Sequence, residues 1–168
     1  MDRLWTPWRY QYITNDSGEK SGDDLAYAPC IFCTLPRQEP AHDERNYIVH
    51  RARHNFIVLN LYPYASGHLL IIPYEHTSEL DSVSKAATDE LMDLAKRAQT
   101  VLREAYRPDG FNLGMNLGRA AGAGVAAHVH LHIMPRWTGD ANFMSTVGET
   151  RVLPEDLPTT YRKLRDKF

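Results

Sequence analysis

The chain has 168 residues, 43% of them hydrophobic and 24% charged, with a formal net charge of −2. These values suit one folded domain with a real core, alone or with decorations, and exclude a bulk basic field for nucleic acid. No stretch is long and apolar enough to span a membrane, the N-terminus lacks the apolar run of a signal peptide, and Cys30 and Cys33 are too few and too close for a disulfide framework, so a cytoplasmic enzyme is the expectation.

Residues 1–13 carry Trp5, Trp8, Tyr10 and Tyr12 around Pro7 and Arg9. This aromatic segment has no period and is expected to pack on the domain or on a neighbouring subunit. Residues 14–28 are polar and rich in Gly and Ser, which reads as a mobile loop. Cys30-Ile31-Phe32-Cys33 follows. Cys-x-x-Cys is half a zinc site and needs two more ligands, for which His76 and His128 are candidates. A redox pair or two structural cysteines is the plainer alternative.

Tyr47–Val49, Phe56–Leu59 and His68–Ile72 are short runs of β-branched, aromatic and aliphatic residues bounded by polar turns, the last closed by Pro73. They predict three strands of an antiparallel meander. Asn60 closes the second strand, where its amide can bond ribose hydroxyls or cap the turn. Leu91, Leu94, Ala98, Val101, Leu102 and Ala105 then recur at steps of three and four, which predicts a helix over 83–106. Asp93, Lys96, Arg97, Arg103 and Glu104 take its other face, and Pro108-Asp109-Gly110 stops it. Phe111–Leu117 is a fourth strand, and Asn116 within it can meet a phosphate or ribose. Leu153–Phe168 has the pattern of a terminal amphipathic helix. The order is β-β-β-α-β-β, an α+β layout with the helix packed on one face of an antiparallel sheet.

The loop Gly118–Val125 runs straight into His128-Val129-His130-Leu131-His132. Its backbone N–H groups can form a nest for an anion. In an extended strand the three imidazoles share one face, about 6–7 Å apart, while Val129, Leu131 and Ile133 enter the core. A phosphoryl or nucleotidyl group in the nest would lie within reach of the middle ring, His130, as nucleophile, with His128 and His132 flanking it. Histidines at i and i+2 could instead share a metal, and a half-exposed strand that happens to carry His is the plain alternative. His42, His50, His54 and His68 are individually weak signals. His68, beside Gly67 at a strand start, is the most interesting of them.

The run from His128 through Met134 resembles the signature of the histidine triad (HIT) family of nucleotide hydrolases and transferases. Phe56–Asn60, Gly67–Pro73 and Gly114–Gly118 look like its core strands, and the resemblance covers about residues 28–138. Leu4–Ile13, Cys30–Cys33 and Pro135–Met144 resemble more narrowly its bacterial diadenosine tetraphosphate phosphorylase branch. The resemblance implies a HIT domain over 28–138, an N-terminal segment over 1–27 and an extension over 139–168. It implies cleavage of diadenosine tetraphosphate by inorganic phosphate to ATP and ADP through a nucleotidyl-His130 intermediate, with His132 on the reacting phosphate. Cys30, Cys33, His76 and His128 fall at structural zinc ligands, and no organic cofactor is implied. Asn60 falls where relatives hold ribose, and Asn116, Gly122, Gly124 and Val125 where they hold phosphates. Gly124 also stands where many hydrolase members carry Gln. The implied partners are diadenosine polyphosphates, AMP, ADP, ATP and phosphate, with no nucleic acid or membrane, in a homodimer or higher homo-oligomer. A HIT-type hydrolase of dinucleoside polyphosphates or nucleoside phosphoramidates, using water, and a non-catalytic nucleotide- or zinc-binding protein remain open alternatives.

Overall fold

The apolar runs pair as strands β1 (Ile48–Arg51), β2 (Asn55–Leu59) and β3 (Leu69–Pro73), each antiparallel to the next. The structure is a computed structural model that describes residues 30–141, 143–148 and 153–168. The aromatic segment and loop expected over 1–27 lie outside the described residues. Every residue of β2 and β3 is buried. A strand covered on both faces reads as a continuous apolar run rather than an alternating one.

The two covers come from different parts of the chain. Ile57, Leu59, Leu69 and Ile71 pack with Leu91, Leu94, Ala98, Val101 and Leu102 of the long helix, Lys85–Tyr106. Phe56, Val58, Leu70 and Ile72 face the other way, onto Phe32 and Leu35. Phe32 belongs to α1 (Ile31–Thr34), a single turn inside the Cys-x-x-Cys run. Four residues are too few to show a periodicity, so the sequence pattern supplied only the first cover.

After the short α2 (Asp43–Asn46), the long helix is α3. The Ser84 hydroxyl accepts the Ala87 N–H as its N-cap, which moves the start two residues inside the expected one. Arg107 ends it in the left-handed region at φ 47°. β4 (Gly110–Gly114) and β5 (Leu131–Arg136) complete a five-stranded sheet in the order β1-β2-β3-β5-β4. The chain thus places the histidine strand in the interior and β4 at an edge.

Near the histidines the expected bounds shift as well. The strand expected over 111–117 ends at Gly114. The β5 ladder begins at Leu131, so His132 alone of the three histidines lies in it. Upstream, the Pro73 carbonyl accepts the His128 Nε2–H, and the Val129 N–H goes to the Thr77 carbonyl, so the groups that would extend the ladder are already used. The alternation persists: Val129 packs with Val83 and Ala87, and Leu131 and Ile133 join the core under α3. Beyond α4 (Phe143–Thr146), the expected tail helix is α5 (Leu157–Leu164), followed by a 3-10 turn at Arg165–Lys167. Asp156 caps α5 by accepting the Thr159 N–H, and Pro158 sits in its first turn. Tyr161 and Leu164 lie in the α3 core. No described helix is long and apolar enough to cross a membrane.

Candidate active site

His132 stands opposite Leu70 across the β3–β5 ladder, so the triad shares the face of Leu70 and Phe32. His68, two positions before Leu70, reaches the same face. His128 and His68 are each 1% exposed and His130 is 4% exposed. Burial, first, and the neighbouring imidazoles push His68 down to about 3. Burial and then His130 push His132 down to about 4. Burial also lowers His128 and His130. The rings are therefore neutral near pH 7, and each carries one N–H and one lone pair.

Their partners decide which nitrogen is which. The Tyr64 backbone N–H donates to His68 Nδ1 at 3.1 Å, so the His68 proton is on Nε2. That Nε2 lies 2.9 Å from His132 Nδ1 and donates to it. The His132 proton is then on Nε2, which is buried with no partner among the described residues. His130 Nδ1 lies 2.8 Å from the His128 carbonyl, which can only accept, so His130 Nε2 keeps its lone pair. His128 Nε2 donates to the Pro73 carbonyl at 2.9 Å, which leaves Nδ1 as its lone-pair atom. The His130 and His132 rings are 4.9 Å apart at their centroids. One offers a lone pair and the other an N–H donor, the pair of groups needed to attack a phosphorus and to hold its oxygens.

His128 Nδ1 points into a second cluster. It is 3.4 Å from Cys30 Sγ, 3.6 Å from Cys33 Sγ and 3.3 Å from His76 Nδ1, and His76 Nδ1 is 3.2 Å from Cys33 Sγ. The four ligand atoms all lie within 4.8 Å of one another. A tetrahedral ion with bonds of about 2.0–2.3 Å has ligand edges of roughly 3.3–3.8 Å, so the set fits a closed two-sulfur, two-nitrogen metal site. Burial and the adjacent Cys30 push the Cys33 thiol up, and a bound cation opposes both effects. Of the three triad histidines, only His128 belongs to this four-ligand cluster among the described residues.

The remaining candidates spread along the rim. Asn60 Oδ1 accepts the Tyr62 N–H at 3.0 Å, which makes Asn60 a turn cap, and its Nδ2 lies 3.4 Å from His68 Nδ1. Asn116 Nδ2 donates to the Gly122 carbonyl at 3.4 Å and ties the glycine loop to the end of β4. Gly122 is left-handed at φ 84°. Gly124 is exposed, and Val125 packs on the Phe32 cluster. Two contributors stood outside the expected site set. His68 gave a usable signal, since the period-two count from Leu70 and Ile72 puts it on the triad face. Phe32 gave none, because an aromatic between two cysteines does not reveal which ring it touches.

The HIT domain profile matches residues 43–139. A Mycobacterium tuberculosis protein named AP-4-A phosphorylase is 39% identical over 168 residues, covering 100% of this chain and 85% of its own length. Among solved structures, a zinc-bound histidine triad family protein from Mycobacterium smegmatis superposes with a TM-score of 0.65 at 26% identity, covering 82% of this chain and 91% of its own. A hypothetical histidine triad nucleotide-binding protein from Sulfolobus tokodaii gives 0.63 at 27% identity with the same coverage.

Proposed function

Because the chain belongs to the histidine triad family, we propose that it is a nucleotidyltransferase that cleaves diadenosine tetraphosphate with inorganic phosphate. The observation that carries this reading is the opposed pair of neutral rings: a free lone pair on His130 Nε2 beside a free N–H on His132 Nε2. His130 Nε2 attacks an α-phosphorus. A P–N bond forms as the bridge to the β-phosphate breaks, and ATP leaves. His132 Nε2–H donates to an oxygen of the reacting phosphate. His130 keeps its Nδ1 proton and donates it in the hydrogen bond to the His128 carbonyl, which steadies the positive charge that the ring gains. Phosphate then attacks the same phosphorus, the P–N bond breaks, and ADP leaves. Asn60 serves the ribose, and Asn116 with Gly122, Gly124 and Val125 serves the phosphates.

The metal of the Cys30, Cys33, His76 and His128 cluster is zinc on this reading, where it supplies a structural crosslink. The open edge of β4 is where a second copy pairs, because an edge strand leaves N–H and C=O groups free to continue a sheet. The 39% identity to a phosphorylase over the whole chain favours phosphate over water as acceptor.

The test is to incubate the protein with diadenosine tetraphosphate, with and without phosphate, and resolve the products. ATP plus ADP appearing only with phosphate is the expected result. ATP plus AMP without phosphate would make the protein a hydrolase. His130→Ala is expected to abolish turnover with folding intact, and retained activity would remove His130 from the nucleophile's role.

A further inference from the structure

Phe32 occupies the centre of the Cys-x-x-Cys turn and is only 7% exposed. Its ring meets His130 edge-on, with centroids 5.1 Å apart and an interplanar angle of 63°. It meets His128 in the same way at 5.7 Å and 84°. His130 also meets the His132 ring, at 4.9 Å. His130 thus packs against two rings, with its Nδ1 tethered to a carbonyl.

Both holds on His130 lead back to the metal cluster. Phe32 lies between Cys30 and Cys33, in a helix of four residues with no side-chain cap. A single turn of that length does not hold itself in water. The tethering carbonyl belongs to His128, whose Nδ1 faces the same two sulfurs. The cluster therefore grips the wall and the tether of the nucleophile together.

We propose that Phe32 is a positioning residue for His130, and that zinc held by Cys30, Cys33, His76 and His128 fixes the aim of His130 Nε2 through the Phe32 ring and the His128 carbonyl. This rests on the reading of His130 as nucleophile. A displacement of about 1 Å at a reacting group costs on the order of a hundredfold in rate, so a structural ion remote from the chemistry can govern kcat.

The experiment joins kinetics to histidine-ring spectra of the full chain. Phe32→Ala, with zinc content matched to wild type, is expected to lower kcat about 10–100-fold and leave KM for diadenosine tetraphosphate within about threefold. Phe32→Leu, which refills most of the space, is expected to recover part of the loss and covers the case in which the alanine variant folds poorly. Nitrogen-15 histidine spectra supply a readout independent of turnover. Zinc-loaded wild type is expected to show one sharp His130 ring with its proton on Nδ1. That signal should broaden or move in zinc-loaded Phe32→Ala and in zinc-stripped wild type. A rise in KM with kcat unchanged would overturn the proposal and make Phe32 a pocket wall. So would a His130 ring signal indifferent to both changes. If wild type turns over no dinucleotide at all, the functional reading fails, and the spectra alone decide whether the cluster steers the His130 ring.

Discussion

His68 is the residue whose loss tests the proton arrangement most directly. Its hydrogen bond goes to His132, and its Nε2–H holds His132 as a donor. Without it, His132 can place its proton on either nitrogen, and part of the population presents a lone pair to a phosphate oxygen. His68→Ala is expected to lower kcat by tenfold or more while nucleotide affinity, read by calorimetry with AMP, changes little. This residue also marks how far the site was legible in the sequence. The triad announced itself because three histidines at alternate positions have few uses. A single His beside Gly67 is a weaker signal: the period-two count from Leu70 puts it on the triad face, and the contact with the His132 ring shows what it does there. Asn60 is legible by type as a ribose ligand, and the structure adds that its Oδ1 also caps its own turn by accepting the Tyr62 N–H.

Among the elements, the turn before β3 is the tightest joint. Gly67 has φ +76°, and a Cβ there would sit 3.0 Å from Tyr106 Cε2, 3.1 Å from Leu102 Cδ2 and 3.3 Å from Pro135 Cγ. Those neighbours belong to α3 and β5, so the turn is pressed against both. Gly67→Ala combines left-handed strain with overpacking and is expected to cost about 1–3 kcal/mol, read as a fall in Tm. Gly124→Ala, where nothing lies within 4 Å of the added methyl, is the control and should leave Tm nearly unchanged. The regular elements were readable because each carries a local pattern: α3 repeats every three or four residues, and Phe56–Leu59 and Leu69–Ile72 are unbroken apolar runs. The late start of the β5 ladder was not readable, since it depends on the distant Pro73 carbonyl and Thr77 accepting bonds from His128 and Val129. α1 escaped for a related reason, because its order depends on side chains brought from β3 and the histidine strand.

For the whole molecule, the buried neutral imidazoles set a limit in acid. An unfolded histidine titrates near 6.5. His68 in the fold is held at about 3 and His132 at about 4, so between these values the unfolded chain binds protons that the folded chain refuses. Their contribution is fully present above about pH 6.5 and is lost as the pH falls toward the folded values. A single deeply buried ring such as His68 changes stability by up to about 1.4 kcal/mol per pH unit in that window. Thermal melts are expected to show a flat Tm above neutrality and a steady fall from about pH 6.5 to 4. In His68→Phe the fall should be shallower, and an unchanged slope would assign the acid loss to other groups.

The hydrogen bonds of the four rings have a common origin in the main chain. The Tyr64 amide sets His68 and through it His132, the His128 carbonyl sets His130, and the Pro73 carbonyl sets His128. Amides and carbonyls persist through nearly every substitution, with proline at Tyr64 the plain exception. The chemical polarity of the site is thus inherited with the path of the chain. The surrounding side chains can drift without rewriting it, and a designer could vary the face around the four rings while leaving their protons in place.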